Sequence, residues 1–234
     1  MQSSLSIIIP VLNEEAVLPT LLDNLQKERN KSAFEVIVVD GGSNDKTVEI
    51  ARTYDFVHLI SSESPGRSVQ MNKGAIKAVS EVLYFLHADC LPPSGFCRLI
   101  KEFLASGYDF GYFSYRFDER SNSLLKHNEK GTRRKNLFSG GGDQGLFIKK
   151  EIFEEAGGFD EKLPIMEDFE LHSRLKKKWK YNIIQENAIV SSRKYKLNGY
   201  WRVQWVNLLI FCGFYLGLSP VFLKKTYKSL LRFD

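Results

Sequence analysis

Three short stretches place carboxylates directly after apolar runs. Asn13-Glu14-Glu15 follows residues 5–11, Asp40-Gly41-Gly42 follows residues 34–39, and His87-Ala88-Asp89 follows residues 82–86. A carboxylate at the end of a buried strand can accept from a nucleobase N–H, bind ribose hydroxyls, or hold a divalent cation against phosphates. Asp89 suits the last role, because Pro92-Pro93 just beyond it restrict the turn that directs it. A later pair, Glu167-Asp168, heads a segment in which Phe169, Leu171 and Leu175 recur. Acids there complement a helix dipole. They can equally supply a general base that takes a proton from a hydroxyl. Taken alone, the pair fits the dipole reading.

The elements that must position these groups follow from periodicity. Residues 5–11 and 34–39 read as buried strands, 57–60 as a short third strand and 82–86 as a fourth. Helices are expected from near Glu14 through Leu25, over 45–54 with Ser43 or Asp45 as N-cap, over 68–79 and over 94–105. Alternating strands and helices imply a parallel, doubly wound α/β sheet, whose ligands bind beyond the carboxyl ends of its strands. The second half is less regular. A strand is expected over 108–117, a polar and basic stretch over 121–136, and a glycine-rich turn, Gly140-Gly141-Gly142-Asp143-Gln144-Gly145. Strand Leu146–Lys149, helices over 151–156 and 169–178, and a short strand over 188–190 follow. The glycine turn reads either as a binding loop or as a tight turn needing glycine's φ freedom.

The chain has 234 residues, 43% hydrophobic and 26% charged, ordinary for a globular protein able to fold without staples. Cys90, Cys97 and Cys212 cannot all pair and show no zinc spacing, which suits reduced thiols. Met1–Ser4 lack the charged and apolar regions of a signal peptide, so a cytoplasmic location is expected. Of the net charge of +5, residues 188–234 carry +7 and the rest −2. Residues 205–218 are apolar except for Asn207, too short to span a bilayer, and lie between Tyr200, Trp201 and Trp205 on one side and Lys224, Lys225 and Lys228 on the other. This segment suits a helix in the headgroup region of an anionic membrane. Packing on the body or in a homodimer through this C-terminal helix is the other reading. Nucleic acid ranks below both, because apolar bulk rather than a basic stripe dominates.

In order along the chain, Ile7-Ile8-Ile9-Pro10-Val11-Leu12-Asn13-Glu14, Val38-Val39-Asp40-Gly41-Gly42-Ser43-Asn44-Asp45-Lys46-Thr47, Phe85-Leu86-His87-Ala88-Asp89, Gly157-Gly158-Phe159-Asp160 and Glu167-Asp168 resemble the family 2 glycosyltransferases of GT-A fold. Each motif alone is weakly specific; five in order are strongly so. The close, with Gly199-Tyr200-Trp201-Arg202 and Leu218-Ser219-Pro220, is similar to a small stand-alone subgroup. The resemblance implies inverting transfer from a nucleotide-diphospho-sugar, a UDP-sugar being favoured, with Mg²⁺ or Mn²⁺, to an unknown acceptor; the charge and apolar bulk of the tail lead to the further expectation of a lipid-linked or membrane-bound acceptor at the inner face of a membrane. It implies a glycosyltransferase domain over residues 1–195, with a nucleotide-sugar half (1–117) and an acceptor half (118–195), then an amphipathic helical tail (196–234). By position, Pro10, Asn13 and Glu14 line the nucleotide pocket, and Asp40 lies near the base. His87-Ala88-Asp89 form the metal motif, with Asp89 its second acid. Asp168, beside Glu167, is the base, and Gly142, Asp143 and Gln144 lie on the acceptor side.

Three positions depart from the family pattern. Gly41 follows Asp40 where a second acid is usual. His87 opens the metal motif where Asp is usual; an imidazole there can hydrogen-bond a hydroxyl or ligate metal. The arginine of the third motif falls at Met71, and Arg67, one helical turn earlier, is expected to take over the diphosphate contact with Gln70 and Asn72 nearby. His127 and His172 are expected to face solvent or cap, and Arg193 to sit on a solvated basic edge. A non-catalytic nucleotide-sugar-binding module is the alternative, but it needs no acceptor base. A nucleotidyltransferase would carry a glycine-rich basic loop where Asn13-Glu14-Glu15 stand. A membrane-surface protein would leave the ordered acids unexplained.

Overall fold

A computed structural model describes residues 5–64, 66–119, 123–136 and 138–233. The reading of Met1–Ser4 and the start of the polar stretch at Ser121 lie outside them. Eight strands form one sheet in the order β3-β2-β1-β4-β7-β6-β8-β5. These are β1 (Ser6–Val11), β2 (Glu35–Asp40), β3 (Val57–Ser61), β4 (Val82–Phe85), β5 (Cys90–Leu91), β6 (Phe110–Phe117), β7 (Leu146–Lys149) and β8 (Tyr181–Val190). Strands β1 to β4 are parallel, and β7 runs antiparallel between β4 and β6. The architecture is therefore the expected α/β one, with a mixed but mostly parallel sheet.

The β1 side chains alternate between two cores, as a doubly wound sheet requires. Ile7, Ile9 and Val11 pack on one face with Leu18, Leu21 and Leu25 of α1 (Leu18–Arg29), Ala51 of α2 (Thr47–Arg52) and Phe96 of α4 (Phe96–Ala105). Ile8 packs on the other with Met71 and Ala75 of α3 (Arg67–Lys77). On that face also lie Ile152 of α6 (Lys150–Glu155) and Leu171 of α7 (Glu167–Leu175). Between β6 and β7 the polar stretch forms α5 (Ser123–Gly131).

Two elements differ in extent from the sequence pattern, and β5 has no counterpart in it. The first helix begins at Leu18, not near Glu14; it is preceded by a turn in which the Glu14 carbonyl accepts from the N–H groups of Val17 and Leu18 at 3.1 and 2.9 Å. Strand β8 has ten residues rather than the short run around Ala188. Its polar middle hid it: a register shift opposite Phe113 and Ser114 lets the Ser114 hydroxyl donate toward the carbonyl of Gln185 at 2.9 Å. Tertiary pairing with β6 makes that strand, not its own alternation.

After β8 come α8 (Arg193–Asn198), α9 (Tyr200–Tyr215) and α10 (Pro220–Leu230). Val203, Val206 and Ile210 of α9 pack with Leu223, Leu231 and Met166, so the tail is fastened to the body beside the start of α7. Helix α10 buries Leu223 against the body and exposes Lys225 and Lys228. Helix α9 differs, because its outward side is largely apolar too, with Trp201, Trp205 and Leu209 exposed. No helix among the described residues is long and apolar enough to cross a membrane.

Candidate active site

The loops leaving β1 and β2 lock into each other before any ligand is considered. Asn13 adopts a left-handed backbone (φ 56°), its side-chain oxygen accepts from the Asn44 N–H at 2.8 Å, and its own N–H donates to the Ser43 hydroxyl at 2.9 Å. The Asp40 carboxylate is buried and accepts from the N–H groups of Gly42 and Ser43, so it shapes its own loop. The buried Gln70 amide donates to the carbonyls of Val11 and Val39 at 2.8 and 2.7 Å, tying together the ends of the first two strands. Gly41 makes room for it: a Cβ there would lie 3.0 Å from the Gln70 carboxamide. Pro10 stays in β1, paired with Val39.

Beyond these loops several charged groups face one another. Burial, and then the negative charge of Asp89, raise the pKa of Glu14. Arg193, expected on a solvated edge, brings its guanidinium within 3.9 Å of the Glu14 carboxylate and belongs to the mouth of the site. Burial and the like charge of Asp143 raise the pKa of Asp89 against the opposing pull of Arg67 and Arg193. Asp143 also stands 3.8 Å from His87 Nδ1. Burial and the Arg67 charge pull the His87 pKa down to about 3, so its imidazole is neutral and free to ligate. His87, Cys90 and Asp143 each offer a donor atom, all within 4.8 Å of one another, and Cys90 Sγ is 3.7 Å from the Asp89 carboxylate. Two mutually repelling carboxylates beside a neutral imidazole and a thiol fit a divalent cation. Cys90 carries no signal in the sequence, because only the fold brings Asp143 to it. Ala88, between the two motif side chains, is buried.

Arg67 is the first residue of α3, and its guanidinium lies 3.4 Å from the buried carboxylate of Glu167. Its partial burial acts against its charge, yet Glu167, Asp168, Asp143 and Asp89 outweigh that and raise its pKa. Met71, at the usual arginine position, is buried in the core. Burial and the Glu167 charge raise Asp168 to about 8, against the lowering effects of Arg67 and of a hydrogen bond from the Gly142 backbone. Gly142 is needed here for close approach rather than for φ. A Cβ on it would meet the His87 ring and stand 2.6 Å from the Asp168 carboxylate. Among the described residues, Met166 joins Asn13 as a non-glycine with positive φ (69°), directly before Glu167. Strained backbone thus adjoins the acids on both sides of the mouth.

Other expected residues are committed to scaffolding. The Asn72 amide donates to the Phe159 carbonyl and the Glu161 carboxylate, both at 2.9 Å, and its oxygen accepts from the Phe159 N–H. The buried Gln144 amide donates to the carbonyls of Phe113 and Thr132 and accepts from the Gly140 N–H. His172 is buried rather than solvent-facing, sharing a 3.1 Å hydrogen bond with the Tyr112 hydroxyl, whereas His127 is exposed. A surface depression of about 260 Å³ lined by Ser62, Val69, Lys73 and Glu161 contains none of the converging acids. Their convergence, not that hollow, marks the site.

The model of glycosyl transferase family 2 matches residues 6–159. The succinoglycan biosynthesis protein ExoA of Rhizobium meliloti is 30% identical over 190 residues, covering 73% of this chain and 57% of its own length. The chain spans only 55% to 57% of the length of the first curated relatives it matches. Among solved structures, the mannosyltransferase PcManGT of Pyrobaculum calidifontis, in complex with GDP-Man and Mn²⁺, is 20% identical with a TM-score of 0.69 over 98% of this chain and 68% of that one. TarS of S. aureus, in complex with UDP-GlcNAc, is 15% identical with a TM-score of 0.66, over 97% and 71%. At such identities these two likenesses speak for the fold, which is of GT-A type.

Proposed function

The chain belongs to glycosyl transferase family 2, and from that premise we propose that it transfers a sugar from a nucleotide-diphospho-sugar to an acceptor hydroxyl, with inversion at the anomeric carbon. The observation that carries this reading is the meeting of His87 and Asp168 around the backbone of Gly142, with the Arg67 charge acting on Asp89 and Asp168 alike.

Asp168 takes the proton of the acceptor hydroxyl. Its raised pKa makes it a stronger base than an exposed carboxylate, still partly ionised near neutral pH. The acceptor oxygen then forms its bond to the anomeric carbon while the bond to the diphosphate oxygen breaks on the opposite face. The electron pair leaves with the diphosphate. Arg67, at the positive N-terminal end of α3, faces that leaving charge, and Arg193 reaches the same mouth from α8. Glu167 holds Arg67 in place through its buried carboxylate. Asp89, with Asp143, His87 and Cys90 in reach, would hold the divalent ion. When bound, Mg²⁺ or Mn²⁺ supplies Lewis-acid neutralisation of the diphosphate.

The test is calorimetric binding of UDP, GDP, CDP and dTDP, with and without Mn²⁺, to wild type and Asp89→Ala. We expect metal-dependent binding of one nucleotide, lost in the variant; the base it carries identifies the donor. Absence of binding by all four would overturn the donor-site reading.

A further inference from the structure

We propose that the outward side of α9 and the corner between α9 and α10 dock on an anionic lipid bilayer. Helix α9 has 16 residues, about 24 Å of helix. Its inward residues, Val203, Val206 and Ile210, are already used against the body. Its outward side would ordinarily be polar. Instead Trp201 and Trp205 are 65% and 68% exposed, and Leu209 is 52% exposed. The stripe continues around the corner through Leu216, Val221 and Phe222. One contiguous apolar face of this kind marks an interaction surface rather than scattered exposed residues.

Charge decides the occupant. Arg202 and, one and two turns beyond Val221 on the exposed side of α10, Lys225 and Lys228 border the apolar face. From Arg193 through Phe233 the sequence contains no acid at all. A two-fold dimer would set this patch against itself and bring like charges together without a counter-charge. Anionic headgroups complement the lysines, the apolar stripe enters the acyl boundary, and tryptophan rings favour that depth.

The docking face is joined to the chemistry. Phe211 of α9 packs edge-on against Phe169, the residue after Asp168, with ring centroids 5.5 Å apart. Met166, in the cluster that holds α9 and α10, directly precedes Glu167. Docking α9 therefore brings the acceptor side of the site toward the lipid surface, and the acceptor hydroxyl is carried by a membrane-borne molecule. That last step rests on the transferase reading above; the docking itself does not.

The experiment is flotation of the full chain with phosphatidylcholine vesicles, with and without phosphatidylglycerol, alongside tryptophan emission, to which Trp179 contributes besides Trp201 and Trp205. We expect flotation only with the anionic lipid, weakened by salt, with a blue shift on binding. In Trp201→Ser/Trp205→Ser, partitioning should fall by about tenfold or more, while calorimetric nucleotide binding stays as in wild type. Absence of flotation with intact nucleotide binding would overturn the docking and leave the donor reading standing. Flotation without nucleotide binding would do the reverse. A sedimentation dimer that the tryptophan variant dissolves, with no vesicle binding by wild type, would assign the face to self-association and overturn the proposal.

Discussion

The Arg67 guanidinium and the Glu167 carboxylate, one hundred positions apart in the chain, meet at 3.4 Å, with the carboxylate end buried and the guanidinium end half-exposed. A buried acid thus anchors a cation whose exposed side remains available to a ligand. Charge-assisted hydrogen bonds of this kind are worth roughly 1.5–3 kcal/mol. Arg67→Ala should therefore weaken nucleoside diphosphate binding by about ten- to a hundredfold by calorimetry. Glu167→Gln should weaken it less, because the guanidinium persists but loses its anchor. Unchanged affinity in Arg67→Ala would remove this residue from the donor site.

Asp168 links activity to pH. With its pKa raised by burial and Glu167 to about 8, the unliganded enzyme should show kcat/KM rising with pH up to a limb near 8. Asp168→Asn should abolish that limb and lower the rate by roughly 10²- to 10⁴-fold. The same shift appears in stability with a defined sign. A carboxyl whose folded pKa lies above its unfolded value of 3.8 favours folding most below pH about 4, and that contribution is lost as pH rises through about 8. Melting of Asp168→Asn should therefore gain on wild type as pH is raised from 5 to 9. A constant difference across that range would count against the shift.

Gly142 tests the packing of the site. Its φ lies outside the left-handed region, so alanine suits the backbone, but the added methyl would collide with His87 and Asp168. We expect Gly142→Ala to lose activity by tenfold or more while costing about 1–3 kcal/mol of stability, measured by turnover and urea unfolding on the same preparation. Full activity would show that the close approach is dispensable.

Gln70 tests the scaffold. Its buried amide serves two backbone carbonyls at the ends of β1 and β2. Gln70→Leu removes both bonds, leaving the Val11 carbonyl only the Gly41 N–H, at about 0.5–1.5 kcal/mol for each bond lost. Chemical denaturation should register that loss, together with weaker nucleotide binding as the two loops separate. A stability change under about 0.5 kcal/mol, the range of an ordinary surface substitution, would contradict the clamp.

The parallel half of the fold was written in local pattern. Apolar runs of four to seven residues separated by helical periodicity lead to β1 through β4, and the acids that follow three of these runs sit at the same sheet edge. Burial on both faces makes β1, β2 and β4 readable one by one, whereas β3, at the sheet edge, is only partly buried and reads from its short apolar run. Asp89 and Asp168 could be singled out because their chemistry belongs to single side chains at strand and helix ends. Other features depended on pairing across the chain and left no local trace. The polar middle of β8 becomes a strand only against β6, and β5 has two residues. Asn72 and Gln144 were expected at the ligand, but their amides satisfy buried backbone groups that a linear reading does not bring near them. Cys90 and Arg193 enter the site through neighbours 53 and 179 positions away, Asp143 and Glu14. Residue type and spacing determined which groups could do chemistry; the tertiary structure decided which of them were free to do it, because every buried polar group must first find a partner.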